Sequence, residues 1–167
     1  MVTQARALPP LVARNEATEL IQHFHREDER RWVPLMEGAS FYPFSFDVQH
    51  SAWHGVFRVQ PGANIPAHYH GGRVVGCTLR GRWRYRGRDW VHAPGSYLLE
   101  VPGDMHTFEV VGDEVVELFV MNEGSLLAVD EAGAVTAIAD VIVRLEQTRK
   151  HYSEQGFEPE VIEALIR

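Results

Sequence analysis

Two periodicities divide the chain. Between residues 32 and 138 apolar and polar residues alternate over short runs, and Gly or Pro turns part the runs at close, even intervals. That is the pattern of an all-β barrel or sandwich. Trp53 to Gln60, ended by Pro61 and Gly62, reads as a strand; so do His68 to His70, Val74 to Leu79, Trp83 to Tyr85, Trp90 to His92, Tyr97 to Val101, His106 to Val111 and Val115 to Met121. Leu126 to Val129 and Val135 to Ile138 form a last hairpin about Glu131 to Gly133. Ahead of these, Trp32 to Phe46 is punctuated by Pro34, Gly38 and Pro43, which predicts extended edge segments with Phe41, Phe44 and Phe46 as packing.

Both ends switch to a helical period. Ala17, Leu20, Ile21 and Phe24 recur at helix spacing behind Asn15, a residue type that caps helices, and predict an amphipathic helix of about four turns. Past the barrel, Asp140 can cap a helix whose apolar face is Ile142, Leu145 and Tyr152, and Gly156 stands where helices end. Pro159 to Arg167 predicts a short closing helix with Val161, Ile162, Leu165 and Ile166 to bury. The expected organisation is an arm (1–12) and helix within residues 1–31, a β-barrel over 32–138, and helices over 139–167 packed on it.

Composition narrows the partners. A chain of 167 residues is long enough for one domain with a real core. A net charge of −7 and dispersed arginines give no basic stripe, so no nucleic-acid partner is expected and a small molecule is. The one cysteine, Cys77, excludes an intramolecular disulfide and reads as a small apolar filler. No apolar run is long enough to cross a bilayer, and the first thirty residues lack the regions of a signal peptide, so no membrane partner and a cytoplasmic location are expected.

Histidine spacing carries the chemistry. Side chains alternate across a strand, so His68 and His70 leave one face side by side while Tyr69 points away. Pro102, Gly103 and Asp104 mark a turn just before His106, which a strand beyond it can lay across from the pair. Three neutral imidazoles can hold one metal ion and leave positions open, as a catalytic site does and a closed structural zinc site does not. His23 and His25, about 200° apart on a helix, cannot share an ion; His50 and His54 read as structural.

These residues resemble a known family. Gly62, His68, His70, Gly81, then Pro94 and Gly95, Pro102 to Asp104, and His106 resemble the two motifs of the cupin superfamily, double-stranded β-helix or jelly-roll barrels holding a metal in the mouth. Arg58, Pro61, Gly72, Trp83 to Tyr85, Asp89 and Trp90, Ser96 and Tyr97, Glu100 and Thr107 bring the likeness closer to the 2,4'-dihydroxyacetophenone and acetylacetone-cleaving dioxygenases, over about residues 32–167. Many cupins place a glutamate ligand four or five residues after the histidine pair; Val74 and Val75 stand there, so the site is three-histidine. Gly87 and Arg88 occupy the hairpin where the closer branch often has a carboxylate.

The resemblance implies a non-haem Fe(II) dioxygenase, with Zn, Ni or Mn as alternative metals, that uses O2 to cleave a carbon–carbon bond of a small β-diketone or aryl hydroxyketone. Dependence on 2-oxoglutarate is disfavoured because such sites need a carboxylate where His70 stands. Glu100, six residues before His106, is implied to help hold the site, and Arg84 to pair with it; the alternative is a solvated cross-strand pair. Trp83, Tyr85, Tyr97 and Phe108 are candidates for the pocket wall. A homodimer or higher homo-oligomer is also implied. Two other readings stay open: a non-oxidative isomerase or hydrolase, and a metal or small-ligand sensor module.

Overall fold

Alternating runs become strands because each can bury one row of side chains and leave the other row outside. Pairing then satisfies the backbone. The computed structural model describes residues 20–167. The strands are β1 (Val33–Met36), β2 (Ala39–Asp47), β3 (Ala52–Val59), β4 (His68–His70), β5 (Val74–Arg80), β6 (Trp83–Tyr85), β7 (Tyr97–Glu100), β8 (Met105–His106), β9 (Phe108–Val110), β10 (Val116–Glu123), β11 (Leu126–Val129) and β12 (Val135–Ala139). Two helices follow, α1 (Val141–Glu154) and α2 (Pro159–Glu163).

A six-stranded sheet in the order β1-β2-β3-β10-β5-β7 faces a four-stranded one, β12-β11-β4-β8, and the β6-β9 pair forms a third small sheet. Every strand pair is antiparallel. The inward rows supply one core that includes Phe41, Phe46, Trp53, Trp83, Phe108 and Leu118. In β5 the alternation is clean, with Val74, Gly76 and Thr78 buried and Val75 and Cys77 half-buried on the other face.

The outer face of the six-stranded sheet is covered too. Trp32, Tyr42 and Val56 pack there with Phe24 and Phe44, and Arg26 pairs at 3.0 Å with Glu117, a carboxylate only 2% exposed. This explains a departure from the expected N-terminal helix. Its first part lies outside the described residues, and residues 20–25 are not helical. Aromatic partners take over the backbone instead: the Tyr42 hydroxyl accepts from His25 N and donates to His23 O, and Trp32 Nε1 donates to Arg26 O.

Other differences have local causes. Trp90 to His92 makes a single bridge to Trp83 rather than a strand; the His92 ring stacks on the Trp83 ring, with centroids 4.4 Å apart. The expected strand from His106 to Val111 is two strands, because the chain changes sheets at Thr107: His106 pairs with His68 and Phe108 with Tyr85.

At the C-terminal end, Asp140 caps α1 by accepting from Val143 N at 2.9 Å. Val141, not Ile142, turns inward beside Leu145 and Tyr152. The closing helix stops at Glu163, and the last residues pair with β2, where Phe46 N donates to Leu165 O and Arg167 N to Phe46 O.

Candidate metal centre

The register of β4 and β8 builds the site. His68 lies directly opposite His106, and His70 is two residues further along the same face. Ring centroids are 4.6 Å apart for His68 and His106, 5.1 Å for His68 and His70, and 5.3 Å for His70 and His106. One nitrogen from each lies within 4.8 Å of the others, and all three side chains are buried.

The hydrogen bonds set the ring chemistry. His68 Nδ1 lies 2.9 Å from the Pro66 carbonyl, which can only accept, so Nδ1 carries the proton and Nε2 presents a lone pair. His70 Nδ1 and both nitrogens of His106 are buried without partners. A divalent cation takes one nitrogen from each imidazole, and three neutral imidazoles this close together fit it. Burial pushes all three imidazoles below their ordinary pKa, His70 and His106 to about 3. They are neutral at physiological pH, the form that binds a metal.

Glu100 reaches the cluster from β7 in the facing sheet. Its Oε1 is 3.5 Å from His106 Nε2 and its Oε2 3.6 Å from His70 Nε2. These separations are too long for hydrogen bonds, and they set the carboxylate beside the histidine cluster rather than bonded to a ring. Burial raises the Glu100 carboxyl to about 7, and Asp104 adds to that, while a hydrogen bond donated by the Tyr85 hydroxyl to Oε1 opposes it. Burial and the Glu100 charge raise the Tyr85 phenol in turn. The Tyr85 ring also stacks on His106, centroids 3.8 Å apart and planes within 11°.

Arg84 does not join the site. It neighbours Tyr85 on β6 and so points the other way, where it pairs at 2.7 Å with Glu109 directly across on β9, not with Glu100. Trp83 is fully buried and donates to Thr78 Oγ1, and Tyr97 is largely exposed on the outside. Tyr85 and Phe108 do line the cavity beside the cluster. His23, His25 and His50 are exposed, with His50 bonded to Asp47, and His54 is half-buried on the outer face.

The cavity has a volume of about 110 Å³ and mostly apolar walls, among them Phe57, Leu118 and Val120. His68, His70 and Glu100 supply polar groups, and so do Asn122 and Arg144, which the sequence reading did not single out. Asn122 sits beside His70, where its side chain favours the protonated ring. A signal for Arg144 was there: positions 141, 144, 145, 148 and 152 are one helical stripe, and all five are buried.

Antiparallel sheets enclosing a three-histidine cluster define a cupin. Residues 21–127 match the ChrR Cupin-like domain, and the chain belongs to that family. Among solved structures it is similar to an RmlC-like cupin from Ralstonia eutropha JMP134, with 24% identity, a TM-score of 0.72, and 77% of this chain and 85% of that one covered. A cupin-like protein of unknown function from the same organism matches with 24% identity and a TM-score of 0.68, over 71% of this chain and 75% of that one. An acetylacetone dioxygenase from Acinetobacter johnsonii matches with 17% identity and a TM-score of 0.67, covering 80% of this chain and 95% of that one. At these identities the likeness concerns the fold. No curated protein matches the chain.

Proposed function

We propose that this cupin is a non-haem iron(II) dioxygenase that cleaves a carbon–carbon bond of a small oxygenated ketone with O2. The observation that carries the reading is the convergence of His68, His70 and His106 with the Glu100 carboxylate beside a small, largely apolar cavity that His68, His70 and Glu100 line. His68, His70 and His106 would hold the ion, and a bound iron(II) would supply Lewis acidity and redox chemistry toward dioxygen. Three neutral ligands leave its double charge uncompensated, which favours a substrate that arrives as an enolate or alkoxide.

The protein's own groups serve that substrate. Glu100 Oε2 is buried without a hydrogen-bond partner, so it can accept the proton that a β-diketone or hydroxyketone gives up on binding. Tyr85 holds the other carboxylate oxygen and fixes the orientation. Phe57, Leu118 and Val120 exclude water from the reacting end.

Pairing of two copies belongs to the same proposal. Edge strand β7 exposes Tyr97 and Leu99, with Val101 and Met105 beyond its end, and a second copy would cover this apolar edge.

The test is metal analysis followed by oxygen-electrode assays of the iron-reconstituted protein with pentane-2,4-dione and an aryl hydroxyketone. Uptake that requires both iron and substrate supports the reading. Stoichiometric zinc, nickel or manganese with no uptake after iron replacement overturns it. The weight then moves to a non-oxidative enzyme or a ligand sensor.

A further inference from the structure

Arg144 is the one charged residue in the buried stripe of α1, and it lines the same cavity as His68 and His70. It is 8% exposed. Its Nη1 donates to Gln147 Oε1 at 2.9 Å, whereas Nε is buried with no partner. Among the described residues no carboxylate pairs with it; burial alone lowers its pKa, to about 10, and it stays charged at neutral pH. A guanidinium buried without an anion is costly to a fold, and among the described residues only the Gln147 hydrogen bond and the face of Trp53, 5.5 Å from Cζ to the ring centroid, offset that cost. Trp53 Nε1 is also buried without a partner. Two unsatisfied donors therefore stand together at one cavity wall.

Their place relative to the metal centre follows from the register. Trp53 pairs with Asn122, Asn122 with Val74, and Val74 with Glu100, so these four form one row across β3, β10, β5 and β7. All four line the cavity. Arg144 lines that cavity beside the Trp53 end of the row, and His68 and His70 line the same cavity. A molecule seated in it therefore meets both the guanidinium and the histidine cluster.

We infer that Arg144, helped by the Trp53 indole N–H, anchors the carboxylate of the substrate, and that the substrate class is a small oxo acid with further keto or enol oxygens facing the histidine cluster. Gln147 engages Nη1 and leaves the Nε edge, which takes a carboxylate side-on in two parallel hydrogen bonds. A neutral diketone would leave the same charge unpaired in its complex, and a site with an unsatisfied polar group discriminates strongly against the ligand that lacks the partner. The inference rests on the cavity being the substrate site of the proposed reading.

The probes are 2,4-dioxopentanoate and pentane-2,4-dione, which differ only in a carboxylate replacing a terminal methyl. Both are titrated calorimetrically, without oxygen, into the protein as purified and into Arg144→Gln and Trp53→Phe. Wild type should bind the acid at least tenfold more tightly than the dione. Arg144→Gln should abolish that preference, and Trp53→Phe, which keeps an aromatic face for the guanidinium, should reduce it. Equal affinity of wild type for the two probes, no binding of the acid, or an undiminished preference in folded Arg144→Gln would overturn the inference. Should Arg144→Gln not fold, an unchanged preference in Trp53→Phe together with no rise in wild-type melting temperature specific to the acid does so instead. Oxygen uptake is scored separately. Iron-dependent consumption of the dione with no acid preference leaves the dioxygenase reading and removes this one; Arg144-dependent acid binding without uptake does the reverse.

Discussion

Tyr85 acts on the site twice, through its ring against His106 and through its hydroxyl on Glu100. Tyr85→Phe keeps the first contact and removes the second, so it separates orientation of Glu100 from packing. Metal affinity or turnover should fall about 10- to 100-fold, the usual effect of losing a group that orients a metal site, with little change in melting temperature. A chelator-competition titration reads the first quantity and the oxygen electrode the second. His106→Ala should abolish stoichiometric metal binding and His92→Ala should preserve it, because His92 stacks on Trp83 outside the cluster. Arg84→Ala should leave both unchanged, since its half-exposed pair with Glu109 is worth about 0.2–1 kcal/mol. These residues mark how far the sequence could be read at this scale. The coming together of the histidines and Glu100 was legible because their types and spacing are chemical. Arg84 misled because one step along a strand reverses a side chain, and Arg144 was missed because a charge in a helix ordinarily belongs outside.

At the scale of elements, the strands and Asp140 cap were legible wherever alternation or a turn signal fixed them, and illegible where tertiary partners decided. Thr107 shows why: nothing local in His106 to Val111 says that its two halves belong to different sheets. Leu20 to Arg26 shows it again, since Phe24, Trp32 and Tyr42 draw that segment over a sheet face whose existence the helical spacing does not reveal. A tighter link between element and site lies at Gly72, which joins β4 to β5. A Cβ there would collide with the Glu123 carbonyl. Gly72→Ala should destabilise the fold by about 1–3 kcal/mol, as overpacking does. With His70 two residues away, metal affinity should fall as well. Urea unfolding with and without chelator measures both; a variant as stable as wild type would mean that β4 and the turn after β10 move apart freely.

Across the whole molecule, the candidate centre draws on both large sheets: His68, His70 and His106 stand on the four-stranded one and Glu100 on the edge of the six-stranded one. The three histidines would hold an ion only in the native chain, and a ligand specific to the native state stabilises it by mass action, about 2.7 kcal/mol at one hundred times its dissociation constant. For a chain of this size that is a rise of roughly 5–10 °C in melting temperature. Chelation should remove it from wild type and leave His106→Ala unaffected. Acid should act on the metal-free protein in a defined direction. His68, His70 and His106 all have folded pKa values below the ordinary 6.5, chiefly through burial. Below about pH 6.5 the unfolded chain therefore binds protons that the folded one refuses, so stability is fully present above that pH and is lost as pH falls toward 3, the folded value of His70 and His106. Melting curves of chelated protein from pH 8 to pH 4 should decline through that window, and the decline should be shallower in His106→Ala, which has one buried imidazole fewer. An equally steep fall in that variant would place the acid sensitivity in carboxylates elsewhere and detach it from the cluster.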